Sequence, residues 1–287
     1  MNLVHFLRRL WRHPSNRGRR LRSIARAAWW ELRGAPAREI RLYGGLRFRC
    51  EPGSGVARGL VWYGGRPEYH EMGLVAHLLR PGDRFVDVGA NAGYYSVLAA
   101  GCVGPAGAVE AFEPSEPARG RLLANIALNA LSNVRVHPVA LAESAGTARF
   151  VADRDTENRL ASGQDGDTPT VEVPTATLDA ALGDLPCALG KIDVEGAEGR
   201  VLAGAERALA DRRPPVWILE AGKRLAAFGG SPEALVAWLS ERGYEAGLYD
   251  ADRRAFTFGG RPWDSRPNIV AVARDRRGWA EERVRER

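Results

Sequence analysis

Residues 85–96 read FVDVGANAGYYS. Phe85, Val86 and Val88 have the apolar character of a buried strand, interrupted by one carboxylate, Asp87. Gly89, Asn91 and Gly93 follow, and from there the chain turns helical. Strand, glycine turn and helix in that order open a βα unit of the kind whose turn meets a ligand. Outward from it, short apolar runs near 84–88, 108–112, 134–139, 188–193 and 216–220 alternate with helical patterns near 93–101, 115–130, 197–210 and 231–242. This alternation predicts an α/β fold of Rossmann-like type, a mostly parallel sheet with helices on both faces and right-handed crossovers. Near the end, EAGLYD, AFTFGG and NIVAVAR follow one another with no helix between, so an antiparallel pair is expected to finish the sheet.

The turn itself discriminates between ligands. A pyrophosphate needs free backbone amides at a helix N-terminus and a glycine at the middle of the turn. Here the middle position is Asn91, and the acid Asp87 stands beside it. A cationic ligand is favoured by that acid, and S-adenosylmethionine carries an amino group and a sulfonium but no phosphate. Gly89 and Gly93 let backbone approach closely, and Glu113, one βα unit on, is placed to accept hydrogen bonds from ribose hydroxyls. Asp193 and Glu220 end the fourth and fifth strands, so an acid stands at the carboxyl end of four of them.

Taken together, FVDVGANAGYYS, AFEPSEPARGRLLANIALN, PVALAESAGTARF, TLDAAL, KIDVEGAEGRVLAGAERAL and WILEAG, in this order and spacing, resemble the FkbM family of S-adenosylmethionine-dependent methyltransferases. The resemblance covers roughly residues 65–225. It implies the class I methyltransferase fold and methylation of a hydroxyl on a sugar, glycan or secondary metabolite. By the same resemblance, Asp87, Gly89, Asn91 and Gly93 form the first cofactor motif, Glu113 and Pro114 the ribose side, and Ala140 and Leu141 the flank of adenine. Asp193, Glu195, Gly196 and Glu198 match the segment beside the transferred methyl. Asn158 matches an asparagine of the inserted loop, although the residues after it, RLA, depart from the family pattern.

Methyl transfer to oxygen needs a positioned hydroxyl and a proton acceptor. Asp193, ahead of Glu195, is the candidate base or orienting group, since paired carboxylates in a half-buried cleft raise one pKa toward neutrality. Glu198 has the simpler reading of an acid complementing a helix dipole. Lys191, on the strand, either faces the pocket or pairs with these acids; Glu220, Glu68 and His70 are further substrate-side candidates. Asp193, Glu195 and Glu220 offer oxygen ligands of the type Mg²⁺ takes, but nothing in the sequence demands a metal, and none is expected.

Other activities fit less well. A nucleic-acid amino-methyltransferase wants Asn/Asp-Pro-Pro-aromatic after the fourth strand, where DVEG stands. A cytosine-C5 enzyme needs a nucleophilic cysteine in that loop, and Cys187 precedes the strand instead. Asn91 disfavours a nicotinamide dehydrogenase. A non-catalytic protein of the same fold, binding a membrane or protein partner through a basic N-terminal helix, is the alternative.

Charge is distributed unevenly. Residues 1–49 hold 13 arginines and two acids, a net of +11, whereas the other 238 residues hold 28 basic and 33 acidic side chains, a net of −5. Within RRLRSIARAAWWELR (19–33), Leu21, Ile24, Ala25, Ala28, Trp29 and Leu32 fall on one expected helix face. That face either packs on its own domain or lies on an anionic membrane; nucleic acid is not expected as a partner. Cys50, Cys102 and Cys187 are widely spaced and odd in number, which suits a reducing compartment. With too short an apolar run for a secretory leader in MNLVHFLRRLW, a cytoplasmic location is expected.

The expected organisation is a basic helical extension over 1–38, a hairpin and helix over 39–80, and the main domain over 81–275. An insertion over 145–175 with its own hairpin interrupts the main domain, and a charged, frayed tail occupies 276–287. Residues 39–63 alternate apolar and polar around Gly44-Gly45, as a hairpin does, and 69–83 reads as a helix stopped by Pro81-Gly82.

Overall fold

Strand β3, residues Arg84–Val88, is buried over four of its five positions, as an interior strand of a parallel sheet must be. Its neighbours set the architecture of the computed structural model, which describes residues 3–52, 54–152 and 158–286. The elements that precede it are α1 (Leu3–Arg12), α2 (Arg20–Leu32), β1 (Arg38–Arg41), β2 (Arg47–Cys50), α3 (Gly55–Trp62) and α4 (Tyr69–Leu78). After it come α5 (Tyr94–Val103), β4 (Ala108–Phe112), α6 (Glu116–Leu128), β5 (Val134–His137), β6 (Ala140–Leu141), β7 (Gly146–Val151), β8 (Arg159–Leu160) and β9 (Val171–Ala176). Then follow α7 (Leu178–Leu182), β10 (Leu189–Ile192), α8 (Glu198–Ala203), α9 (Glu206–Ala210) and β11 (Val216–Glu220). The chain closes with α10 (Pro232–Glu241), β12 (Tyr244–Asp250), β13 (Ala255–Phe258), β14 (Asn268–Ala273) and α11 (Arg277–Arg285).

Eight strands form the main sheet in the order β13-β12-β14-β11-β10-β3-β4-β5. The five from β11 to β5 are parallel, and three antiparallel strands, where a pair was expected, complete the edge. Side chains alternate cleanly between two cores. Phe85, Leu189, Val216, Ile218, Val270 and Val272 face α4, α5 and α11, whereas Val86, Val88, Ile192, Trp217, Leu219 and Ala271 face α7 to α10. The chain runs outward from β3 through β4 to β5, then returns to β10 on the other side of β3. The crevice beyond the carboxyl ends of β3 and β10 is therefore the topological switch point. This is the class I methyltransferase arrangement.

The insertion forms a hairpin as read: β7 and β9 pair antiparallel, with Phe150 opposite Val171. With β6 and β8 they make a separate four-stranded sheet. Of the polar loop read between them, residues 153–157 lie outside the described residues.

Four expectations need correcting. The segment 197–210 is two helices, broken because Gly204 packs on Ala142, where a Cβ would sit 2.2 Å from the carbonyl oxygen. The 39–63 hairpin ends at Cys50 and gives way to α3, whose N-terminus is capped by the Ser54 side chain. Residues 277–285 are an ordered helix that buries Ala280 and Val284 in the sheet core, so the charged C-terminus is docked and not frayed. Lastly, of the two readings of the α2 apolar face, packing on its own domain fails: the helix buries Ser23, Ala27 and Trp30, and leaves Leu21, Ala25, Trp29 and Leu32 exposed. Arg26 lies on the inward side because Nε and Nη2 donate to Val61 and Trp62 carbonyls at 2.7 and 3.0 Å.

The N-terminal module is fixed to the main domain by packing and by backbone clamps. Trp30, Phe48, Leu60 and Val61 share a core with Ala92 and Val97. Asn125 accepts from Arg49 N at 2.8 Å and donates to Ala92 O at 3.1 Å, and Asn129 accepts from and donates to the Arg47 backbone. No helix among the described residues is long and apolar enough to cross a membrane.

Trp30 is buried and its Nε1 donates to Pro36 O at 2.9 Å. Trp30→Ala is expected to cost about 3–5 kcal/mol in a urea titration, as removal of a fully packed aromatic does. An appendage that folds independently of the sheet would instead leave the main transition unmoved.

Candidate functional site

The loop after β3 is built from left-handed backbone at Gly89 (φ 81°), Asn91 (φ 49°) and Gly93 (φ 87°). Glycine is required at 89 because a Cβ there would lie 2.0 Å from Asp193 O, in the loop after β10. Asparagine tolerates the left-handed region better than other side chains, and Asn91 Oδ1 also accepts from Ala92 N at 2.7 Å. Gly93 has a different task from the one expected: a Cβ would strike Leu122 at 2.2 Å, so it seats α6 and does not line the cleft.

Every amide of this loop is already engaged. Gly89 N and Ala90 N donate to Phe112 O, each at 3.0 Å. Asn91 N donates to Glu113 Oε2 at 2.8 Å, and Gly93 N to Ala90 O at 2.8 Å. A phosphate would find no N–H to accept from here, and a carboxylate occupies the place where it would sit.

Beyond the loop lies a cleft of about 300 Å³ at the switch point. Of the expected residues, it brings together Asp87, Gly89, Asn91, Glu113, Pro114, Ala140, Leu141, Asn158, Lys191, Asp193, Glu195, Glu220 and Glu68. Two others stand apart. His70 does not line the cleft; its Nδ1 accepts from Ala251 N at 3.1 Å and tethers α4 to the β12–β13 turn. Glu198 is also outside it, fully buried, with Oε1 accepting from Val194 N at 3.1 Å and Gly196 N at 3.3 Å. It therefore holds the loop carrying Asp193 and Glu195 in shape.

Other wall residues went unread. Gly55, Val56 and Gly59 come from α3, Phe150 and Leu160 from the insertion, Tyr94 and Tyr95 from α5, and Asn268 from β14. The tyrosines had a signal in the quoted GYYS. Their hydroxyls donate to Glu68, at 3.0 Å from Tyr94 and 2.5 Å from Tyr95.

The electrostatics centre on Lys191. It is opposite Asp87 in the β10–β3 register, donates to Asp193 Oδ2 at 2.5 Å, and lies 4.7 Å from the centre of the Tyr95 ring. Burial opposes its charge, yet Asp193, Glu68 and Asp87 outweigh burial and hold its pKa above the usual lysine range. Asp87 is buried, accepts from Ser96 Oγ at 2.5 Å, and is pushed upward by burial against the opposing pull of Lys191 and Ser96. Glu113 is pushed up to about 7, chiefly by burial, although Ser115 N and Asn91 N both donate to it. Each of its oxygens takes one backbone amide, which leaves a lone pair on each for a hydroxyl donor.

Asp193, Glu195 and Glu220 offer ligand oxygens that lie within 4.8 Å of one another. Two cations already serve this group, Lys191 on Asp193 and Arg224, whose Nε is 3.0 Å from Glu195. Burial first, then Asp193 and Glu220, push the Glu195 carboxyl up to about 8. Burial and Asp193 also raise Glu220. Glu195 has φ 57°, an uncommon conformation for glutamate; such strain is kept where surrounding structure enforces it, commonly at functional sites. Gly196 beside it packs on Arg224, where a Cβ would lie 2.4 Å from the carbonyl oxygen.

The family described as Methyltransferase FkbM domain matches residues 87–246. No curated protein matches the chain by sequence. Similar solved structures include precorrin-6Y C5,15-methyltransferase from Geobacter metallireducens, at 15% identity and TM-score 0.41 over 72% of this chain and 87% of that one. An rRNA methylase from Streptococcus thermophilus has 16% identity and TM-score 0.40 over 70% and 91% of the two chains. The O-methyltransferase TomG from Streptomyces achromogenes, involved in tomaymycin synthesis and solved with S-adenosylmethionine, has 13% identity and TM-score 0.39 over 72% and 79%.

Glu198 and Glu113 imply a pH-dependent stability. Their folded pKa values, about 8 and about 7, lie above the ordinary 4.5, so the folded state binds these protons more tightly than the unfolded one. Their stabilising contribution is present below pH ~4.5 and is lost as pH rises through 7 to 8. The unfolding free energy from urea titration is expected to fall between pH 5 and 8.5, by about 1.4 kcal/mol per pH unit per carboxyl within its window. Glu198→Gln keeps an oxygen for the two amides and is expected to flatten the slope; an unchanged slope would remove Glu198 from this account.

Proposed function

We propose that this chain, which belongs to the FkbM methyltransferase family, transfers the methyl group of S-adenosylmethionine to a hydroxyl oxygen of a sugar, glycan or secondary metabolite. The observation that carries the donor is the spent amide set of residues 89–93, facing an acid-lined cleft where a nucleotide phosphate would have no donors. That arrangement suits a cation without a phosphate.

The residues present fit the donor. Glu113 has lone pairs left for ribose hydroxyls, Asn91 and Gly89 shape a backbone wall, and Pro114, Ala140 and Leu141 supply small or apolar surface for adenine. Asp87, with the neighbouring carboxylates, favours the cationic amino-acid end. When bound, S-adenosylmethionine supplies an electrophilic methyl on a sulfonium.

The acceptor side is assigned to Asp193, Glu195 and Glu220. Lys191 occupies Oδ2 of Asp193 and fixes that carboxylate in place. Its other oxygen remains to orient an acceptor hydroxyl. Glu195, raised to about 8, is the better matched base near neutral pH, an inversion of the order expected from sequence. Arg224 steadies Glu195 in its charged form. Glu68, held by two tyrosine hydroxyls, and Asn158, whose Nδ2 lies 3.4 Å from Ser115 Oγ, are assigned to acceptor contacts at the rim. Phe150, Leu160 and Tyr94 add apolar wall that excludes water. The abundance of carboxylates disfavours polyanionic acceptors, so a neutral sugar or glycan is preferred to nucleic acid.

Calorimetric titration is expected to detect S-adenosylmethionine and not NAD⁺, with affinity lowered at least about tenfold in Glu113→Ala, the value of a lost charged hydrogen-bond acceptor. Folded wild-type protein that takes up NAD⁺ and not the methyl donor would reverse the assignment. For turnover, read as S-adenosylhomocysteine release over a panel of hydroxylated sugars, kcat/KM is expected to rise with pH through about 8 as Glu195 loses its proton. Glu195→Gln is expected to lose about 10²–10⁴-fold in kcat together with that limb of the profile, while donor affinity holds. If Asp193 is the base, the limb survives this substitution.

A further inference from the structure

Helices α1 and α2 direct apolar side chains away from any core. Val4, Trp11, Leu21, Trp29 and Leu32 are between 47% and 87% exposed, and they make up five of the seven exposed large apolar side chains among the described residues. Val4 and Trp11 are two turns apart on α1, and Leu21, Ala25, Trp29 and Leu32 follow at i, i+4, i+8 and i+11 on α2. These are stripes, not scattered residues. Nor is α2 short of a folding contact, because its opposite face is already buried through Ser23, Ala27 and Trp30.

The two helices touch beside Trp11. Arg20 Nε donates to Trp11 O at 3.2 Å, and its guanidinium lies 5.0 Å from the centre of the Trp11 ring. The guanidinium of Arg33 lies 4.6 Å from that of Trp29. Around them Arg8, Arg9, Arg12, Arg19, Arg22 and Arg33 are exposed, and no ion pair among the described residues involves any of them. The rest of the chain, from residue 50 on, is net negative at −5, so the excess positive charge belongs to the segment that carries this face.

We propose that α1 and α2 form a docking face for an anionic lipid bilayer. Exposed tryptophan and leucine flanked by arginine is the composition of a helix lying in the interface, with rings at headgroup depth and guanidinium groups on phosphates. A nucleic acid would engage the arginines but gain nothing from exposed Leu21, Leu32 and Val4. The face is tied to the cleft through α3, which packs on α2 and contributes Gly55, Val56 and Gly59 to the cleft wall. The proposal is independent of the methyl-transfer reading.

The test is co-sedimentation of the full chain with vesicles of phosphatidylcholine alone or with about 30% phosphatidylglycerol, at about 0.1 M salt. Binding is expected only to the anionic vesicles. Leu21→Ser, Trp29→Ser and Leu32→Ser together are expected to weaken it at least about tenfold, and Arg19→Glu with Arg22→Glu by a similar factor or more. All five positions are exposed, so thermal midpoint and S-adenosylmethionine affinity should match wild type. Absence of the folded chain from anionic vesicles would overturn the proposal, as would binding that survives loss of the stripe. Tighter capture by single-stranded RNA, sensitive to the arginines and not to the stripe, would also overturn it and assign the face to nucleic acid.

Discussion

Where the chain leaves β3 it passes so close to the chain leaving β10 that Gly89 leaves no room for a side chain against the Asp193 carbonyl. That backbone contact brings two loops with opposite duties into one crevice. One is a turn whose amides are spent internally on Phe112, Glu113 and Ala90. The other is a strained acidic loop held from beneath by Glu198. On the proposed reading the donor and the acceptor lie on either side of this contact, as transfer of so small a group as methyl requires. The parallel sheet supplies this because β3 and β10 are neighbours in space though about a hundred residues apart in sequence.

A second constraint is charge. Asp87, Asp193, Glu68, Glu195 and Glu220 crowd a half-buried space, and uncompensated carboxylates there would be costly. Lys191 offsets part of this from inside the sheet and Arg224 from the rim. Burial first, and then the repulsion that remains, push the Glu195 and Glu220 carboxyls upward. A cationic ligand relieves that repulsion, so the site's own discomfort is part of its selectivity.

Much of this could be read from sequence where one physical cause dominates. Arg84–Val88, Ala108–Phe112 and Val216–Glu220 were legible as strands because burial on both faces demands near-continuous apolar residues. The acids at strand ends were legible because a hydrophobic run stops abruptly at each. Reading failed where competing contacts decide. The inward face of α2 carries Ser23 and Arg26, which looks like a solvent face until α3 supplies carbonyls for the guanidinium. Within α3, Gly55 and Gly59 suggest a turn, but Gly59 sits against Pro67 with little room for a Cβ. His70 and Glu198 resemble site residues by position, and only their backbone partners reveal that they hold loops. In α11 a high charge density conceals Ala280 and Val284, which bury in the sheet core, and Arg283, which pairs with Asp83.

The cleft is not contained in the segment that carries the family likeness. Residues 87–246 match, yet Gly55, Val56, Gly59, Pro67 and Glu68 enter the wall from upstream and Pro267 and Asn268 from downstream. Substitutions in these flanks reshape one side of the cavity and leave the amide network of residues 89–93 untouched. The shape of the cavity is thus set by stretches of chain outside the matched segment as well as by those within it.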